Sequence, residues 1–424
     1  MSRLMATTAA HTIPAGRQRG FSLVELLVTM SITTVILGAT MSAMTHAINA
    51  TDLALQLTTM NNSLRTSMDV MVRDMLQVGQ GLPSGNVILM PTLAGSTPIV
   101  LPTPPFNPVQ TYYLGATGVA PNVLPRLSTT PPGAALGPPS LSAVLPGPGL
   151  GPVVNGIATD MIVTIAGDSS FDSILLGCAL ATANCNDALA ANGMSMRVWN
   201  GPTPGGVSLT SQHGANITNG GADDLHAGDL IMLTRGTSSA LVQVTGVVGQ
   251  VVTFAAADSL NLNQQGAADG TSRELAATPT QDVYTPLVPL PVPNPLPVIA
   301  TEATRIRMIT YYIDALTDPL RPRLVRRINN GAATAVAFDI ENLSISYDLV
   351  DGDKNPANVK MTAADLGGTG ACAPDPCSPN QIRKINIMLA ARSKSKLKGS
   401  GQNLRNRLIT QVSFRSLAFV DRYK

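Results

Sequence analysis

From Phe21 to about Ile48 the chain is apolar, with Glu25 as its one formal charge. About 20 apolar residues in a helix, at 1.5 Å per residue, are enough to cross the hydrocarbon core of a bilayer. Beyond that run, Leu53, Leu57, Met60, Leu64, Met68, Met71, Met75 and Val78 recur at spacings of three and four. That spacing draws one apolar stripe along a helix, and the plain reading of a Met-rich stripe is core packing. Asp69 and Arg73 stand four apart and can pair on the wet side. Gly79 and Gly81-Leu-Pro83 stop the pattern. The periodicity therefore predicts a helix over 21–80, transmembrane at 21–48 and amphipathic at 49–80, its second half packed on a globular head.

The pattern then changes. Residues 81–153 are rich in Pro, Gly, Ser and Thr, and Pro102–Pro108 and Thr130-Pro-Pro-Gly133 cannot form regular ladders. This region reads as surface loop with a short edge strand at Val87–Met90; a Pro-rich segment can also fill aromatic grooves in partners. Residues 154–278 form a first β-rich part of the head. Thr159–Ile165 alternates, and Gly228–Leu233, Ala240–Thr245 and Gln250–Phe254 read as consecutive antiparallel strands joined by turns. Seven prolines at 279, 286, 289, 291, 293, 295 and 297 make 279–300 an extended linker. Residues 301–424 hold the clearest sheet, with strands at Arg305–Ile313, Arg323–Ile328, Ile340–Leu349, Ile382–Ala390 and Gln411–Phe419. The expected class is α+β: a long N-terminal transmembrane and amphipathic helix packed on an antiparallel β-sheet head with long Pro/Gly-rich loops.

Composition narrows the function. The chain has 424 residues, 13% charged, with a net charge of +2. It is long enough for a sizeable core and two subdomains after the helix. Near-neutral charge gives no broad basic surface for nucleic acid. Aromatics make up 4% with one Trp, which argues against stacking platforms. Four cysteines fall into two local pairs, Cys178/Cys185 and Cys372/Cys377. In an exported domain they are disulfide candidates, local pairing being the simplest of the three connectivities. Free thiols and a four-thiolate metal site are the alternatives, and the spacings fit a zinc knuckle poorly.

Glu25 is costly where it stands. A carboxylate at mid-membrane costs about 2.5–3.5 kcal/mol, so a partner is expected. The nearest candidate is the α-amino group that a cut after Gly20 would create. An ordinary secretory signal has a core of about 7–15 residues and a small-residue cleavage site; this run is roughly twice as long and carries an acid inside it.

Arg17-Gln-Arg-Gly-Phe-Ser-Leu-Val-Glu-Leu-Leu-Val28 behind a basic leader at 1–20, followed by unbroken apolar sequence, resembles the prepilin signal of type IV pilins and type II secretion pseudopilins. The resemblance implies that a membrane aspartic peptidase cuts after Gly20 and methylates Phe21. It also implies that Glu25 meets the N-terminus of a neighbouring subunit in a filament. Arg3, Arg17 and Arg19 favour keeping the leader end cytoplasmic. Arg305–Asp314, Pro322–Arg327, Ile340–Tyr347 and Phe414–Phe419 resemble the head of PilW-type minor pilins; pseudopilin J of type II secretion is similar in build. The partners so implied are the prepilin peptidase, other minor and major pilins, the inner-membrane assembly platform and the membrane itself. The implied location is the inner membrane with a periplasmic head, then the pilus and cell surface.

Two constellations remain. Asp348, Asp351, Asp353 and Asn355 crowd one turn; alternating oxygens of this kind can take Ca²⁺, and they equally suit a hairpin. Arg392, Lys394, Lys396 and Lys398 alternate with Ser and Leu; they could touch DNA phosphates or acidic lipid, and with Gly399-Ser-Gly401 behind them they read as a solvated loop. His11, His46, His213 and His226 leave little for a triad or a zinc site, and no phosphate-binding loop or nucleophile elbow is present. No enzyme and no obligatory cofactor are expected. The expected function is a minor pilin that joins pilus assembly near the tip. The alternatives are a type II secretion minor pseudopilin and a DNA- or surface-binding tip protein.

Overall fold

The computed structural model describes residues 20–82, 87–89, 99–100, 111–112, 140–168, 171, 174–175, 194–197, 224–235, 238–248, 251–256, 258–264, 301–350, 354–366, 368–374, 377–397 and 401–414. The fold is α+β, with a long apolar N-terminal helix and antiparallel sheets. The helix α1 runs Leu23–Gln77, 55 residues without a break. The chain divides into two units, Met1–Gln56 and Leu57–Lys424.

In the first unit the large side chains of α1 are exposed, from Leu23 through Val24, Leu27, Ile32, Val35, Met41 and Ile48 to Leu55. Thr29, Ser31, Thr33, Thr34, Thr40, Thr45 and Thr51 each donate a hydroxyl proton to the carbonyl four residues back. Those bonds satisfy each hydroxyl within its own helix, so polar residues cost little on an otherwise apolar surface.

In the second unit the stripe is buried: Met60, Leu64, Met68, Met71 and Met75 lie on the core side of α1. The head that covers it is built from strands. These are β1 (Val87–Leu89), β2 (Ser140–Leu141), β3 (Val144–Gly147), β4 (Met161–Gly167), β5 (Ile174–Leu175), β6 (Leu230–Arg235) and β7 (Ser238–Gln243). They continue with β8 (Thr301–Asp314), β9 (Arg323–Ile328), β10 (Thr334–Phe338), β11 (Ile340–Leu349), β12 (Ile382–Lys396) and β13 (Asn403–Ser413). Strands β1–β10 make one ten-stranded sheet, and β11–β12–β13 a second, antiparallel one.

The long strand β8 is the hub. Ile306 pairs with Leu230 of β6 on one side and Gly167 of β4 on the other. Further along, Tyr311 lies between Arg326 of β9 and Ile162 of β4. Its residues alternate between two cores, as the period of a strand requires. Ile309, Tyr311 and Ile313 join the α1 stripe and the β11–β12–β13 face; Ile306, Met308 and Tyr312 join Leu230, Met232, Val163 and Leu241.

Polar contacts set how α1 sits on the head. Asn61 accepts from the Asn406 amide at 2.7 Å, and the Ser63 hydroxyl donates to the Phe338 carbonyl at 3.1 Å. Asp74 accepts from Arg326 Nε at 2.6 Å and Nη2 at 3.2 Å, and from the Tyr311 hydroxyl. After the helix, Gly79 N–H donates to Ile165 O and Gly167 N–H to Gln80 O. Gly81, at φ +70°, passes so close to Gly167 that a Cβ there would lie 3.1 Å from the Gly167 Cα. Glycine is required here by both conformation and space.

Several expectations change. Val87–Leu89 is not an edge strand: it lies between β7, parallel to it, and β2. Residues 140–147, inside the span read as loop, form β2 and β3, and Pro146 sits opposite Ile162 because its missing N–H costs nothing on β3's outer side. Val251–Thr253 leaves the β6–β7 pair for a small sheet with Gly246–Val248 and Ser195–Arg197. The last strand starts at Asn403 rather than Gln411; only one of its faces is covered, so its polar residues hid the β pattern. β12 runs on to Lys396, so Arg392, Lys394 and Lys396 are on a strand and not in a loop. Strands on both sides of the Pro-rich span share one sheet. Residues 1–19, the linker 279–300, Lys398 and 415–419 of the expected last strand lie outside the described residues.

The Asp74 cluster yields a test. Asp74→Ala leaves the half-buried Arg326 and the buried Tyr311 without their acceptor, at an expected cost of about 2–4 kcal/mol in denaturant unfolding of the detergent-solubilised chain. Burial first, then the Asp74 carboxylate, hold the Tyr311 hydroxyl well above its ordinary value of 10.0. The folded state therefore keeps a proton that the unfolded state loses, so this stability is full below pH 10 and falls as pH rises above it. Tyr311→Phe removes that residue's share of the alkaline slope.

Candidate functional site

The N-terminal stretch is built around the start of α1. Ser22 precedes the first helical residue, and Glu25 stands three further on. The Glu25 N–H donates to Ser22 Oγ at 3.2 Å, and the Ser22 N–H donates to Glu25 Oε2 at 3.1 Å. This reciprocal capping box satisfies two N–H groups that a helix start leaves open. It also fixes the carboxylate at the positive end of the helix dipole. The Ser-x-x-Glu spacing was readable in the sequence, but the apolar context drew attention to Glu25 as a charge and not as a cap.

Gly20 and Phe21 lie just outside the helix, both exposed; Phe21 is 83% exposed. A Cβ built on Gly20 would meet nothing within 4 Å, and its φ is not in the left-handed region. Among the described residues nothing requires glycine there. Residues 16–41 match the prokaryotic N-terminal methylation motif.

That motif supports a type IV pilin-like or pseudopilin-like protein, with processing by a prepilin peptidase and assembly with other pilins. The apolar α1 fits membrane anchoring, and among the described residues it is the one helix long and apolar enough to cross a bilayer. No curated protein and no solved structure matches the chain.

The remaining candidates lie in the head. Cys372 and Cys377 form a disulfide, both buried. Their loop is organised by Asp365, a residue sequence reasoning passed over. Its carboxylate accepts from Ala371 N, Thr362 N and Thr362 Oγ1, and its carbonyl accepts from Cys377 N. Burial pushes the Asp365 carboxyl up, but those donors outweigh it and the net direction is down. Cys178 and Cys185 lie outside the described residues.

Of the calcium candidates, Asp351 and Asp353 lie outside the described residues. Asp348 projects from β11, where its oxygens accept from Asn358 N, Asn386 Nδ2 and Gln411 Nε2 at 2.9–3.0 Å. Its lone pairs thus tie three strands and a loop. Asn355 follows at φ 44°, a turn conformation that Asn tolerates. Among the described residues no group of three or more His, Cys, Asp or Glu is placed to hold a metal.

The disulfide loop gives two expected outcomes. Reducing Cys372–Cys377 opens a short loop and should cost about 2 kcal/mol, read from denaturant midpoints with and without reductant. Asp365 and Asp314 both bind protons less readily folded than unfolded. Their stabilisation is full above the ordinary carboxyl value of 3.8 and drains away as pH falls below it. Asp365→Asn should flatten part of that acid limb in a pH series of unfolding midpoints.

Proposed function

We propose that this chain is a PilW-like minor pilin, cleaved between Gly20 and Phe21, methylated on Phe21, and built into a type IV pilus near its tip. The observation that carries the reading is the Gly20–Phe21 junction. It is exposed, immediately precedes a capped apolar helix, and holds a glycine that packing among the described residues does not need. A glycine with no packing duty is free to fit a peptidase cleft that admits only a small residue before the cut. Assembly, not catalysis, is the mechanism: the apolar half of α1 leaves the bilayer for a filament core of like helices, and the β-rich head stays outside.

Glu25 has two roles in this reading. In the single chain its carboxylate closes the capping box with Ser22. In a filament it faces the methylated amine of a neighbouring Phe21. Two unit charges about 4 Å apart attract by about 4 kcal/mol at an effective dielectric of 20, which offsets much of their desolvation. The pairing would set axial register between subunits.

Mass spectrometry of the mature protein should find Phe21 at the N-terminus and methylated; an intact leader would remove the reading. Glu25→Ala and Glu25→Leu should be cleaved and inserted normally, since a helix without the charge is easier to bury. Incorporation should fail, because an amine left unpaired in the filament core costs about 3–5 kcal/mol. Glu25→Gln keeps shape and a cap acceptor while removing the charge. The readout is co-purification with sheared pili at matched membrane levels. Recovery of the wild-type protein with secretion machinery instead would assign it to the pseudopilin J role.

A further inference from the structure

β12 and β13 extend beyond β11 as a two-stranded ribbon. The last β11 partner on β12 is Ala391, whereas β12 and β13 stay paired through Arg392–Arg405 and on to Lys396–Asn403. The ribbon carries Arg392, Lys394, Lys396 and Arg405, with Arg407 beside it opposite Ala390, and no Asp or Glu occurs anywhere between Cys377 and Val420. Arg392 and Arg405 stand directly opposite each other, which destabilises a sheet. Glu341 takes Arg405 at 2.7 Å, and Arg392 donates to the Leu320 carbonyl. Lys394, Lys396 and Arg407 are exposed and form no ion pair among the described residues. Exposed charges also guard open strand edges, but that needs no single sign.

The surroundings indicate what meets them. Leu320, which receives Arg392, is 82% exposed, and Leu316 and Phe338 nearby are 55% and 48% exposed. Contacts along α1 run in order: Asn61 to Asn406 beside the ribbon, Ser63 to Phe338, Asp74 to Arg326, and Gly79 to Ile165. Within the second unit the ribbon and the exposed leucines therefore lie at the Leu57 end of the helix segment that packs on the head, nine residues along the chain from Ile48. Cations with apolar side chains among them suit a lipid headgroup region, where stems bury and charges meet phosphate.

We propose that the ribbon formed by residues 392–396 and 403–405, with Arg407 beside it, is a docking surface for anionic phospholipid headgroups of the bilayer that holds residues 21–48. It would hold the head against the membrane until the subunit is drawn into a filament. The inference rests on membrane insertion of α1 and not on pilus assembly. Nucleic acid is the competing anion, and the neighbouring exposed leucines, without stacking aromatics on the ribbon, favour lipid.

The test uses the full chain reconstituted in phosphatidylcholine vesicles with and without phosphatidylglycerol, read by backbone hydrogen exchange. One Lys or Arg near an anionic leaflet strengthens attachment about fivefold, so several together should slow exchange at 392–396 and 403–407 by about tenfold or more. The protection should vanish at about 1 M salt, where screening shortens to about 3 Å. It should also vanish in the triple variant Lys394→Glu, Lys396→Glu, Arg407→Glu, with exchange in β4 and β8 unchanged as evidence of folding. Equal exchange in both vesicle types overturns the proposal. So does protection produced by added DNA and not by anionic lipid. A chain that alkaline carbonate strips from the vesicles overturns membrane anchoring as well.

Discussion

Asp74 is the charge that α1 turns toward the core, and the position of the helix on the head follows from it. Buried apolar side chains supply most of the attraction: each of Met60, Leu64, Met68, Met71 and Met75 contributes about 1.5–3 kcal/mol when covered. That attraction is non-directional, and a stripe of flexible methionines would tolerate sliding. A desolvated carboxylate does not. It is held only where Arg326 and Tyr311 both reach it, so one rotation and one height of α1 are much better than their neighbours. The glycine contact at Gly81 and Gly167 then fixes where the chain leaves the helix.

From that fixed helix the sheets follow. β8 shares Ile309, Tyr311 and Ile313 with the α1 core and turns Ile306, Met308 and Tyr312 to the other. One strand therefore ties both cores together. The β11–β12–β13 sheet closes over the same helix, and Asp160 links it to β4 by accepting from Ile345 N and giving its own N–H to Leu343 O. The two halves of α1 answer to different surroundings. Before Gln56 its apolar residues face outward and its hydroxyls bond within the helix. After Leu57 its stripe is covered by strands.

The α1 boundaries, the strands β6, β8, β9 and β11, the Cys372–Cys377 pairing and the Gly20–Phe21–Glu25 spacing were legible along the chain because each rests on neighbours within a few turns or on a strict period. A 3.6-residue stripe, a two-residue alternation and a short motif are all local. Residues 140–147 were not legible: a Pro-bearing stretch becomes strand only when β4 and β1 offer it partners. β13 was misplaced because an edge strand with one wet face carries Arg, Asn and Gln where a buried strand would show apolar residues.

What the sequence by itself determined is the membrane-length apolar run, the acid inside it, the helix stop at Gly79 and the existence of a β-rich head, since hydrophobic period and backbone restriction act through adjacent residues. What only the tertiary structure decided is which strands meet, that Asp74 finds Arg326 and Tyr311 about 240 residues away, and that the basic run beyond Ala391 is a paired ribbon. Long-range pairings of this kind depend on loop closure and on matching of desolvated groups across the fold, and neither leaves a local pattern.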